Sequence, residues 1–198
     1  AADTVTGATG AGFSTRVDYA SSTSAVTVNL GTGSASDGFG GTDTLIRVDQ
    51  AFGGAGNDTL LGGSQERSNS GGFFELFRGN SGTDTIDGVG TDTLLGAAGT
   101  DRVNYGNSPA AVNVNLATGT ASDGFGFTDV LLNIDEVEGS VFNDTLTGGR
   151  ARQVLIGGAG NDLLVGAVNG VEASYQTSTA AVVANLLSGT ASDGLGGI

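Results

Sequence analysis

The chain has 198 residues, 37 of them Gly and one Pro, and carries 21 acidic residues against 7 Arg with no Lys, for a net charge of −14. Cys and His are both absent, which excludes disulfide staples and thiolate metal sites, imidazole-bound zinc and His-based triads. Scattered Arg in so acidic a chain also make nucleic acid a poor partner, because phosphate binding needs clustered cations.

No apolar run approaches the roughly 20 residues that a membrane helix needs, so membrane insertion is not expected. The start, Ala1-Ala2-Asp3, has no Met, basic region or apolar core, and reads as a mature chain or a fragment. Abundant Gly penalises long helices, and it lacks the three-residue period of collagen. Short Thr, Val and Leu runs between Gly, Asp and Asn clusters predict repeated strand–turn units, an all-β chain. No composition shift marks a linker, so one elongated body over residues 1–198 is expected.

In chain order, the first predicted strand is Val26-Thr27-Val28-Asn29-Leu30, with apolar residues at alternate positions as a half-buried strand requires. It follows Arg16 and Tyr19 and precedes the loop Gly33-Ser34-Ala35-Ser36-Asp37-Gly38-Phe39-Gly40 and then Asp43. Next comes a nine-residue unit, Gly53-Gly54-Ala55-Gly56-Asn57-Asp58-Thr59-Leu60-Leu61, which joins a Gly-rich acidic loop to a three-residue strand. Segment 64–78, with Phe73, Phe74 and Phe77, reads as an insertion whose aromatic residues form a small satellite core. Three more nine-residue units follow over Gly79–Asn104, the middle one a residue short, with Asp84, Asp92 and Asp101 at the sixth position.

The strand–loop pattern then returns as Val112–Leu116 and Gly119–Gly126, after Arg102 and Tyr105 and before Asp129. A second run in unbroken register, Gly139–Val165, has Asp144, Gln153 and Asp162 at the sixth position. A third strand–loop pair, Val182–Leu186 and Gly189–Gly196, follows Tyr175 and includes Asp193. Large repeats of about 17–102, 103–172 and an incomplete 173–198 lie over the short ones. Periodicity at two levels is the signature of a solenoid.

The loops carry the chemistry. Gly-Gly-x-Gly-x-Asp is expected to turn backbone carbonyls inward, because Gly visits positive φ freely, and the Asp adds a carboxylate. Oxygen ligands without nitrogen or sulfur suit a hard cation such as Ca²⁺, which takes six to eight of them. One loop cannot supply that number. With each nonapeptide a half-coil, loops about 18 residues apart share a side, so Asp84 with Asp101 and Asp144 with Asp162 are expected to clamp ions between coils. The candidate ligands are Gly53, Ala55, Asn57 and Asp58; Gly79, Ser81 and Asp84; Asp92; Gly96, Ala98 and Asp101; Asp144; and Gly157, Ala159, Asn161 and Asp162. The same residues are also ordinary turn formers. The Gln153 loop, with Arg150 and Arg152, is expected to bind no ion, and the loops of Asp37, Asp43, Asp123, Asp129 and Asp193 are read as turns. Arg16 and Arg102 read as partners of neighbouring carboxylates.

The pattern Gly-Gly-x-Gly-x-Asp-x-apolar-x resembles the hemolysin-type calcium-binding repeats of RTX proteins, and the units around Val26–Asp43 and Val112–Asp129 look like spacer modules of large bacterial secreted proteins. The resemblance implies a parallel β-roll with Ca²⁺ between its turns, and secretion to the cell surface or matrix. The expected function is a structural or adhesive rod that calcium folds and stiffens. The alternatives are a calcium-dependent carbohydrate or ice binder using outward Thr (Thr42, Thr44, Thr59, Thr83, Thr85, Thr91, Thr93) and, behind it, a polysaccharide-modifying enzyme. An enzyme is not expected: each Tyr recurs once per repeat, which points to architecture. Because Ala1–Val5 resembles the continuation that the third large repeat lacks, self-association head to tail, or pairing with neighbouring repeats of a longer chain, is expected; surface polysaccharide is a further candidate partner.

Overall fold

A computed structural model describes residues 2–7, 15–62, 76–82, 84–87, 92–167, 170–179, 181–185, 190–192 and 195. Among them every regular element is a short strand, and no helix is long and apolar enough to cross a membrane. The strands alternate between two sheets. One contains Thr4–Thr6, the unit Thr27–Asn29, Ser34–Ser36 and Thr42–Ile46, then Thr59–Leu61, Thr85–Asp87, Arg102–Asn104, Glu136–Glu138, Val154–Ile156 and Glu172–Ala173. The other contains Arg16–Asp18, Gln50–Phe52, Leu76–Arg78, Thr93–Leu95, the unit Asn113–Asn115, Ser122-containing Thr120–Ser122 and Thr128–Leu132, then Thr145–Thr147 and Leu163–Val165. Each nonapeptide is therefore a half-coil, and coils stack in parallel, for example Leu60 on Ile86 and Leu146 on Leu164.

A three-residue strand can turn only one side chain inward. Val28, Leu60, Ile86, Val103, Val137 and Leu155 form that inner row in the first sheet, and Ala51, Phe77, Leu94 and Leu131 form part of it in the second. All of them are buried in one core. The eighth position of the nonapeptide is apolar because it alone faces this core.

Two features modify the parallel stack. Strands 27–29, 34–36 and 42–46 form an antiparallel meander inside one sheet, and 113–115, 120–122 and 128–132 form its counterpart inside the other. The third strand–loop pair, Val183–Asn185 with Thr190–Ser192, is likewise antiparallel. The former spacer modules are thus hairpins folded into the roll.

The second feature concerns segment 64–78. Leu76–Arg78 is a half-coil of the stack, with Phe77 fully buried between Ala51 and Leu94. Phe77 belongs to the main core and not to a satellite cluster; Phe73 and Phe74 lie outside the described residues. This extra half-coil gives the first large repeat an odd number of half-coils. As a result, equivalent strands 16–18 and 102–104 fall in opposite sheets, whereas 102–104 and 172–173 share one. The longer spacing of the first two repeats, 102 − 16 = 86 residues against 172 − 102 = 70, includes this half-coil.

The recurring Tyr pin the meanders. Tyr19 and Tyr105 are buried and donate their hydroxyls, each at 2.9 Å, to the inward carboxylates of Asp43 and Asp129. Burial, followed by the Asp hydrogen bond for Tyr19 and the Asp129 charge for Tyr105, pushes both phenols up. Arg102 pairs with Glu136 at 2.7 Å and Glu138 at 3.3 Å on the next strand, and Arg16 pairs with Asp18 at 3.4 Å while lying over the Phe52 ring.

Candidate metal centre

The loops entering the two sheets form two columns of carboxylates, one along each long edge of the roll. In each column an Asp accepts the backbone N–H at the start of a strand in the neighbouring coil. Along the first edge Asp58 Oδ1 accepts from Val26 (2.8 Å), Asp84 Oδ1 from Asp58 (2.9 Å), Asp101 Oδ1 from Asp84 (3.3 Å) and Asp135 Oδ2 from Asp101 (3.2 Å). Along the second edge Asp49 accepts from Thr15 (3.0 Å), Asp129 from Asp92 (3.0 Å), Asp144 from Val112 (2.8 Å) and Asp162 from Asp144 (2.9 Å).

The expected pairs are therefore brought together: Asp84 with Asp101, and Asp144 with Asp162. Asp58 joins the same column as Asp84 across a gap of 26 residues, because the intervening segment adds one half-coil on the other side. Asp92 lies on the opposite edge from Asp84 and Asp101 and meets Asp129 instead of a nonapeptide Asp. Ser81 and Ala98, third residues of successive loops, stack directly in a short parallel pair. Asn57 and Asn161 are exposed beside their Asp, and the Asn161 N–H takes the side chain of Asn143 at 2.8 Å. Gly53, Gly79, Gly96 and Gly157 are buried at the loop entrances, and Ala55 is exposed and Ala159 half-buried at the turns.

The glycines meet the positive-φ expectation in part, Gly99 (132°) among them, and serve a second purpose besides. Positive φ is found at Gly158 (91°) and Gly160 (122°), but not at Gly53, Gly54 or Gly56. What recurs is close approach. A Cβ on the first Gly of a unit would fall on the Oδ2 of that unit's own Asp, at 53 with Asp58, 79 with Asp84, 96 with Asp101, 139 with Asp144 and 157 with Asp162. The loop closes tightly enough for its carboxylate to occupy the space that a side chain would need.

Burial raises carboxyls on both edges, Asp129 on the second to about 7, and three of them gather on the first. Asp58, Asp84 and Asp101 are all buried and lie in one column. Burial, followed by the charges of Asp58 and Asp101, raises the Asp84 carboxyl to about 7; burial also raises Asp58, Asp101 and Asp144. Asp84 is 0% exposed, and its Oδ2 meets no hydrogen-bond donor among the described residues. A buried anionic oxygen without a partner is costly unless a cation supplies the missing interaction. Among the described residues no three acidic side chains converge on one point, so any ion would need backbone carbonyls as well as the paired Asp. That donor set, carboxylate plus carbonyl oxygen, fits a hard divalent cation. One candidate carbonyl, that of Gly53, accepts the Asn80 side-chain amide at 2.6 Å.

The Asp of the meanders are engaged differently. Asp37 and Asp123 each accept two N–H groups of their own turns, from Phe39 and Gly41 and from Phe125 and Phe127. The Gly41 and Phe39 donors hold Asp37 below the usual carboxylate range. Asp43 and Asp129 accept from a Tyr and from a neighbouring strand. These are turn and core acceptors; Asp193 lies outside the described residues. Two members of the columns, Asp49 and Asp135, belong to no nonapeptide unit, and sequence reasoning passed over them. Their shared signal is placement two residues after positive-φ Arg47 and Asn133, at equivalent points of the two large repeats.

A two-sheet roll with acidic, carbonyl-rich turns defines a calcium-binding repeat protein. Residues 48–66 and 138–168 match the RTX calcium-binding nonapeptide repeat, in four copies. Those two stretches thus carry RTX repeats, and repeats of this kind bind calcium. The run Gly79–Asn104 lies outside the matched residues. Comparison with curated proteins finds no match.

Proposed function

We propose that this chain is an extracellular structural or adhesive segment that calcium folds and stiffens, with ions held between stacked turns. The observation that carries the reading is the column of buried, like-charged Asp58, Asp84 and Asp101, with the Asp84 Oδ2 unpartnered. Carboxylates this close repel one another in a medium of low polarity, and a divalent cation relieves that repulsion at the cost of little rearrangement. The ion positions we favour lie between the loops of Asp84 and Asp101 and between those of Asp144 and Asp162. The carbonyls at positions 79, 81, 96 and 98, and at 157 and 159, complete the ligand sets, with a further ion at the Asp58 loop. Proteins with such repeats are usually secreted, and millimolar calcium outside cells saturates sites as weak as about 10⁻⁴–10⁻³ M.

Native mass spectrometry tests the assignment. Asp84→Asn/Asp101→Asn and Asp144→Asn/Asp162→Asn should each carry fewer Ca²⁺ ions than the wild-type chain. Unchanged ion counts in both would overturn the pairing.

An architectural role is supported further by the Tyr residues, whose hydroxyls are engaged by Asp43 and Asp129. End-to-end association is supported by Leu163–Val165, which among the described residues is the last strand of its sheet, since unpaired edges attract other strands. Light scattering in calcium should show species larger than a monomer.

A second reading, a carbohydrate or ice binder, is favoured by one observation. Thr42, Ser36, Thr27, Thr59 and Thr85 lie side by side on five neighbouring strands, facing outward. Thr44 lies in the adjacent row and Thr93 in the other sheet, while Thr83 and Thr91 fall outside the described residues. Inhibition of ice recrystallisation, or retention on a polysaccharide column, that Thr27→Ala/Thr59→Ala abolishes would establish it.

A further inference from the structure

We infer that Arg150 is a cation built into the chain: its guanidinium ties the loop of Gln153 to the preceding coil where other turns take calcium, and keeps the coil of residues 133–156 closed at low calcium.

Gln153 stands at the sixth position of its unit, and its side chain repeats half of what an Asp does there. Its Oε1 accepts from the N–H of Gly149 (2.7 Å) and Arg150 (2.8 Å), as Asp101 Oδ2 accepts from Ala97 (2.8 Å). The other half differs. Where an Asp presents a second anionic oxygen, Gln153 presents an NH₂ group, which donates to the Ile134 carbonyl at 2.9 Å. Gln153 is buried, so this exchange removes one negative charge from the interior of the column.

The oxygens on the facing coil are those a cation between coils would use: the Ile134 carbonyl and the Asp135 carboxylate. Arg150 Nη2 reaches both, at 3.3 Å and 2.7 Å. Asp135 spends its remaining oxygen on the N–H of Asp101. Both oxygens of Asp135 therefore have protein donors, in contrast to Asp84. With Arg150 49% exposed, the ion pair by itself would contribute little. What distinguishes the turn is that two side chains together satisfy the facing oxygens. Strand Glu136–Glu138, on the same coil, is held on its outer face by a second guanidinium, that of Arg102. At this point the roll is held by two protein cations.

This role presupposes that the other turns take calcium. Hydrogen exchange followed by mass spectrometry across a series of buffered free-calcium concentrations tests it. Peptides covering 134–138 and 149–156 should lose protection at lower free calcium than peptides covering 54–61 and 157–165. Arg150→Ala should narrow that difference, the Gln153 bond to Ile134 remaining, while leaving protection in saturating calcium unchanged. A second variant gives the loop the residues found at 55–58: Arg150→Ala/Ala151→Gly/Arg152→Asn/Gln153→Asp. It should bind one Ca²⁺ more than the wild-type chain by native mass spectrometry. Loss of protection in all wild-type peptides at one calcium concentration, or an unchanged exchange profile in Arg150→Ala, would overturn the inference. So would an unchanged ion count in the loop variant. Failure of the calcium reading itself looks different: no peptide would respond to calcium at all.

Discussion

At the scale of single residues, the carboxylates divide by what their oxygens meet. Asp43 and Asp129 are taken by Tyr hydroxyls and Asp37 and Asp123 by the amides of their own turns, whereas the Oδ2 of Asp84 meets no donor among the described residues. Tyr105→Phe should therefore destabilise the calcium-loaded protein, because it leaves a buried Asp129 oxygen without its donor, a loss of about 1–3 kcal/mol. Denaturant unfolding in saturating calcium measures this; an unchanged midpoint would contradict the pinning role of Tyr105. The sixth-position Asp were legible in the sequence because they recur in step with an opening Gly and an inward apolar residue. Asp49 and Asp135 were not, because their short turns reach the same column without the glycines that mark it. Gln153 was legible as a position without a carboxylate, but not its bond to Ile134, which depends on which coil lies opposite.

At the scale of the element, the nonapeptide is a half-coil whose first Gly makes room for its last loop residue. Gly157→Ala would place a methyl group on the Asp162 carboxylate. The expected outcome is a calcium midpoint shifted to higher concentration, read by calorimetric titration; an unshifted midpoint would show that the loop has slack. The strands and their inward residues were legible from the alternation of apolar positions. The direction of pairing was not: alternation has the same period in parallel and antiparallel sheets, so the meanders at 27–46 and 113–132 look like any other strands until the register is seen. Strand 76–78 was hidden for another reason. Its approach, Gly71-Gly72-Phe73-Phe74-Glu75, departs from Gly-Gly-x-Gly-x-Asp, and three aromatic residues close together suggested a separate cluster, whereas Phe77 is one more inward residue of the stack.

At the scale of the molecule, the absence of a counter-charge in the columns makes the calcium-free fold sensitive to pH. Asp84 and Asp129 are both raised to about 7, chiefly by burial, against about 3.9 for an Asp in an unfolded chain. A carboxyl raised in the folded state favours folding when protonated. Its contribution is fully present below about pH 4 and is lost as pH rises through about 7. In chelator the protein should accordingly retain more β signal at pH 5 than at pH 8. Calcium binds the ionised carboxylates, so in saturating calcium the order should reverse. The same β signal at both pH values in chelator would argue that the columns carry no excess charge.

The central claim is that calcium holds the roll together. Each half-coil buries one apolar side chain and orders several glycines, whose entropy is costly, so the stack has little stability to spare once its charges are uncompensated. The most direct measurement is far-ultraviolet circular dichroism of the full chain, first in excess chelator and then with calcium restored. The expected result is loss of most of the β signal in chelator and its full return with calcium, cooperatively and in step with ion binding. A β spectrum that chelator leaves unchanged would contradict the account.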